Sequence, residues 1–184
     1  MWMRHEECQG YSLKRWYLVG LFIVFSAAIQ VNAVQAGSSL TITDVRWTHE
    51  ISASREPAPE NIGTSVSSDK PLYLWVKLRG SAEAFEVLKT KRKLSVIHRW
   101  EYNYFGWKTE RIDISIGRDQ PLDDETIQKL GYEIEAQGYF EWRTWSRKEN
   151  LSAHSYTVTI VDGFDEPFAC QAEPLCKMTI TLEP

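Results

Sequence analysis

Leu72, Leu74, Val76 and Leu78 alternate with Tyr73, Trp75, Lys77 and Arg79. This period of two constrains the chain more than any other feature. It puts every second side chain on one face of a pleated strand and cannot form the apolar stripe of an α-helix. The pattern recurs within residues 41–51, where Val45 and Trp47 alternate with Asp44, Arg46 and Thr48. Leu94, Val96, His98 and Trp100 share one parity against Ser95, Ile97, Arg99 and Glu101; Ile112, Ile114 and Ile116 alternate with Arg111, Asp113 and Ser115. Tyr156-Val158-Ile160 and Met178-Ile180-Leu182 repeat it with threonines among the opposite positions, a composition suited to half-buried strands. Between the runs lie turn signals such as Arg55-Glu56-Pro57 and Arg118-Asp119-Gln120-Pro121, with the prolines outside the ladders. Two segments break the pattern. Residues 82–88 predict a loop with one or two helical turns, and residues 122–130 a short helix opened by Asp123-Asp124-Glu125 and closed by Gly131. The expected fold is all-β: a single immunoglobulin-like antiparallel β-sandwich of seven or eight strands with one short inserted helix.

The first 36 residues follow another logic. Lys14 and Arg15 precede an uncharged run from Trp16 to Val31, followed by Val34-Gln35-Ala36. That is the order of a secretory signal peptide, with cleavage expected after Ala36. The run is shorter than the roughly 20 residues a membrane-spanning helix needs. Residues 1–36 are therefore read as the signal and 37–184 as the domain, its core at about 41–183 after a loose tail. The alternative is a membrane tether by an uncleaved signal anchor, in keeping with the long head that contains Glu6 and Glu7. Both place the domain outside the cytoplasm, periplasmic or secreted. Removing three basic and two acidic leader residues from the chain's 21 and 25 leaves 18 and 23, a formal charge of −5. A mildly acidic domain without a basic stripe excludes nucleic acid as the expected partner. Cys8 leaves with the leader, so Cys170 and Cys176 are expected to pair as a disulfide in an oxidising compartment.

Several segments in order resemble a known family. They are VRWTHEI, then Arg55-Glu56-Pro57, LYLWVKL, and His98-Arg99-Trp100-Glu101-Tyr102-Asn103. Trp142-Arg143-Thr144-Trp145-Ser146-Arg147-Lys148 and YTVTIVDG follow. Over residues 42–183 this series is similar to the bacterial envelope family catalogued as domain of unknown function 2914. The resemblance implies an envelope location and this fold, and supplies no reaction. The chain departs from the family pattern in the long stretch between Asn103 and Trp142, and around Phe168 and the cysteine pair, both read as loop insertions.

No catalytic residue is expected. Ser146 lacks a nucleophile elbow, and His49, His98 and His154 stand at no triad or metal spacing, so no metal or cofactor is assigned. Asp123-Asp124-Glu125 reads as a helix start rather than a calcium loop. His98 is read as a core-edge histidine, or more sharply as a pH-sensitive or ligand-contacting one at the end of the sheet. The tryptophans carry the functional expectation, because the domain keeps six: Trp47, Trp75, Trp100, Trp107, Trp142 and Trp145. Trp142 and Trp145, three apart, belong on opposite faces of a strand, one packed inward and one reaching a partner. The expected binding surface comprises His98, Arg99, Trp100, Tyr102 and Trp107 with Trp142, Arg143, Trp145, Arg147 and Lys148. The expected function is a non-catalytic exported envelope module that contacts another periplasmic protein. A carbohydrate or peptidoglycan binder stacking sugars on the indoles is the alternative, and a hydrolase with dispersed carboxylates the third and weakest.

Overall fold

The computed structural model describes residues 40–58, 62, 65–66, 69–171 and 177–182, so the expected signal peptide lies outside the described residues. Two sheets form a sandwich. One has the order β6-β3-β1-β8, built from β1 (Leu40–Thr48), β3 (Leu72–Gly80), β6 (Phe140–Lys148) and the two-residue β8 (Ala169–Cys170). The other has the order β2-β9-β7-β4-β5, built from β2 (Ser65–Val66), β4 (Ile97–Asn103), β5 (Trp107–Asp113), β7 (Ser155–Val161) and β9 (Lys177–Leu182). The long pairings are antiparallel, and among the described residues only β1–β8 and β2–β9 run parallel. Among the described residues, no helix is long and apolar enough to cross a membrane.

Alternation places the core. Leu72, Leu74, Val76 and Leu78 of β3 are fully buried, as are Val96, His98 and Trp100 on the facing sheet. In β1 a register shift between Ile42 and Asp44 moves the inward parity, so Leu40 and Ile42 before it and Val45 and Trp47 after it all enter the core. Trp47 meets Trp100 edge-on at 5.6 Å between ring centroids, and Trp100 meets Tyr156 in the same way at 5.9 Å. Gly80 lies opposite Phe140, whose ring covers the glycine so closely that an added Cβ would overlap it.

The helices differ from expectation. Where one or two turns were expected, α1 (Ala82–Lys91) is a full helix that buries Ala84 and Leu88. Ser81 caps its start by accepting from the Ala84 N–H, and Arg92 closes it in a left-handed conformation. The second helix, α2 (Asp124–Gln137), opens on Asp123 but runs through Gly131 and stops only at Gly138. Ile127, Leu130 and Ile134 continue the apolar stripe past Gly131, which overrides that local stop signal. Gly131 instead faces the Phe85 ring, 3.1 Å from where its Cβ would be, so it lets α1 and α2 approach closely.

Candidate functional site

The residues expected to form one surface fall into three places. The first is the interior. His98 and Trp100, on the inward parity of β4, are fully buried and therefore cannot belong to a surface. They converge on Ser146 of the opposite sheet: His98 Nδ1 lies 2.6 Å from Ser146 Oγ, and Trp100 Nε1 donates to the same oxygen at 3.1 Å. Thr144 makes a second cross-sheet tie by donating its hydroxyl to the Ile114 carbonyl at 2.8 Å. Ser146 and His98 are thus neighbours, as a nucleophile and its base would be. Yet both are buried, and His98 Nε2 has no orienting partner among the described residues. Burial pushes the imidazole pKa down from 6.5 to about 3, so the ring is neutral and its role is polar packing between sheets.

The second place is the β4–β5 hairpin. Asn103 and Gly106 form its turn, with the Gly106 N–H donating to Asn103 Oδ1 and Gly106 at φ +116. The turn projects Phe105 at 94% exposure and Trp107 at 80%, with Tyr104 packed edge-on to Phe105. A groove of about 610 Å³ runs between this tip and the 152–155 segment. Lower on the hairpin, Tyr102 is half-buried, with Lys148 Nζ 4.9 Å above its ring and paired to Glu110. Arg99 stands directly opposite Arg111 on the outer face, and both lean on Asp165.

The third place is built on β6, an edge strand. Trp142 faces inward and packs partly against the core, while Arg143 and Trp145 lie on the other parity. All three nevertheless line one cleft of about 380 Å³, closed on its far side by residues 117–123 and the start of α2. At an edge both faces of a strand border the same opening, so opposite parity does not separate these side chains. Loop 51–58 folds over the outer face here. Trp75 Nε1 donates to the Arg55 carbonyl at 2.7 Å, and Arg143 pairs with Glu56. These contacts bury Trp75, although it sits on the outer parity of β3. Arg55 takes a left-handed φ of 64°, and its guanidinium lies 5.7 Å over the Trp142 ring. Arg147 pairs with Glu149 and lies over Tyr73, outside the cleft lining.

Electrostatics around β6 favour ionised pairs. Burial alone would raise the Glu141 pKa, but Lys77 and Arg79 together outweigh it and hold the carboxyl below its ordinary value. Asp123 is also held low, chiefly by its hydrogen bond from Thr126, which fixes it as the α2 cap. No group of three potential metal ligands occurs among the described residues. Sequence reasoning singled out Trp142, Arg143 and Trp145 but missed Arg55, Glu56 and Arg118 as their surroundings. The Arg55-Glu56-Pro57 triplet was the available signal, and only tertiary folding brings it to β6. Cys170 is half-buried on β8; Cys176 lies outside the described residues. A scan against models of known protein families matches none of them, and a search of curated proteins finds no match.

Proposed function

We propose that this chain is a non-catalytic, exported module of the cell envelope, as the family it resembles implies, and that it contacts another periplasmic protein through the β6 cleft. The observation that carries this reading is Arg55. A non-glycine residue in the left-handed region costs on the order of 1–3 kcal/mol, and such strain persists where a site over-determines it. Here the strained backbone is tied to Trp75, and the side chain is displayed over Trp142 at the cleft rim. Arg118, Arg143, Asp119 and Asp123 line the same opening with Trp142 and Trp145, a mixed-charge and aromatic lining that fits a protein surface. A glycan reading keeps one specific support, the exposed Trp107 beside its groove. Signal cleavage after Ala36 and a Cys170–Cys176 staple complete the proposal.

Crosslinking in intact cells, followed by identification of captured proteins, tests it. Trp145→Ala and Arg143→Ala should each remove a specific partner from the captured set while the protein stays folded. Unchanged capture by both variants would refute the cleft. Retention on peptidoglycan that disappears in Trp107→Ala would move the function to the hairpin tip. A mature protein beginning before residue 30 would refute cleavage after Ala36.

A further inference from the structure

We propose that the outer edge of β6 receives an extended acidic peptide segment as an added strand. This inference rests on the interaction-module reading and names the class of its partner. Among the described residues, the order β6-β3-β1-β8 leaves β6 with a neighbour on one side only. In an antiparallel pair the residues alternate between those bonded to the neighbour and those whose N–H and C=O point away. The Glu141 N–H fixes the phase, because it donates to Glu133 of α2 and so faces away from β3. The β3–β6 register runs unbroken from Gly80↔Phe140 to Leu72↔Lys148, so Arg143 and Trp145 share that outward phase. Among the described residues neither has a backbone hydrogen bond outside the β3 ladder. The edge is therefore blocked by a side chain at Glu141 and open over the next two outward positions, where the cleft lies.

An unblocked edge is a template for strand addition, in which main-chain bonds supply affinity and side-chain pockets supply specificity. Charge selects the occupant: three arginines of the lining outnumber its two aspartates, and those are engaged, Asp119 by Arg118 and Asp123 by the Thr126 N–H. Arg55 stands at the rim with no carboxylate partner among the described residues, and Arg118 and Arg143 line the same cleft. Their partners Asp119 and Glu56 are largely or partly exposed, so these pairs exchange readily for a carboxylate of an incoming strand. The four outward N–H and C=O groups of Arg143 and Trp145 would bond the peptide backbone, and its acidic side chains would reach Arg55 and Arg118.

The test uses the full chain and three capped nine-residue probes that alternate valine or threonine with a charged residue. One carries aspartate, one lysine in its place, and one aspartate with alternate backbone nitrogens methylated on the binding edge. The aspartate probe should slow amide exchange at Arg143 and Trp145 at least tenfold, and Arg55→Ala should weaken its binding at least fivefold. The lysine and methylated probes should bind at least tenfold more weakly. Unprotected amides, or equal binding by the methylated probe, would overturn strand addition. Protection that grows with protein concentration without a peptide would assign the edge to a second copy and likewise overturn the proposal. If in-cell capture through Trp145 persists while the amides stay unprotected, strand addition fails and the module reading stands. Loss of both defeats the two together.

Discussion

Lowering the pH should destabilise this domain through His98 well before its carboxylates are neutralised. The ring is fully buried, and burial lowers its pKa from 6.5 to about 3. The unfolded chain therefore takes up a proton that the folded chain refuses. Stability is complete above the unfolded value and falls by about 1.4 kcal/mol per pH unit from about pH 6.5 down to about pH 3. Between about pH 7.5 and pH 5 the loss attributable to this one residue is about 2 kcal/mol. Urea unfolding at the two pH values measures it, with His98→Asn as the reference. Asparagine keeps a group able to meet Ser146 Oγ and does not titrate in this range. All other groups contribute equally to both proteins and cancel in the difference. The variant should be less stable at neutral pH, because a smaller side chain leaves a void, but its pH slope should be shallower by about 2 kcal/mol over the interval. Equal slopes would show that the folded domain protonates the ring freely, and the sealed polar contact between the sheets would have to be abandoned.

Other outcomes follow from the packing. Ser146→Ala strips one oxygen from two buried partners, His98 and Trp100, and should lower stability by about 2–4 kcal/mol in the same assay, because each unpaired buried group costs about 1–3 kcal/mol. Gly80→Ala forces a methyl group into the Phe140 ring and should cost about 1–3 kcal/mol; a neutral melting temperature would show that the ring moves aside freely. Protein isolated without reductant should lie about two hydrogens below its reduced mass if Cys170 and Cys176 are joined, and free thiols at both would remove the staple. Loss of the staple should lower stability by about 2–3 kcal/mol.

Much of the architecture was legible because it is local. Parity alone places Leu72, Leu74, Val76, Leu78 and Val96 inside, and the same parity held His98 and Trp100 there although both were assigned to the binding surface. The turn at Asn103 and Gly106 was readable from residue type, and so was the cap at Asp123. What escaped depends on partners far away in sequence. Ser146 is 48 residues from His98, and no periodicity shows that their two sheets will face each other at those positions. Trp75 is buried against its parity because loop 51–58 covers it, and that cover depends on a hydrogen bond to a main-chain carbonyl, which residue type does not encode. Gly131 misled for the opposite reason: a local stop signal was outweighed by the stripe of Ile127, Leu130 and Ile134. The candidate surface divided because its residues were grouped by sequence proximity, whereas strands carry adjacent residues to opposite sides.

The distribution of the indoles gives the domain a built-in optical readout. Trp47, Trp75 and Trp100 are sealed from solvent, whereas Trp107 stands almost free at the hairpin tip and Trp142 and Trp145 lie between these extremes. A small aqueous quencher should extinguish Trp107 emission first and leave the blue-shifted light of the buried rings. A ligand on the hairpin should shield the red-edge component, while one in the β6 cleft should change only the intermediate emission. The two candidate surfaces thus carry separate spectral labels, and the chain reports which one is occupied without any added dye.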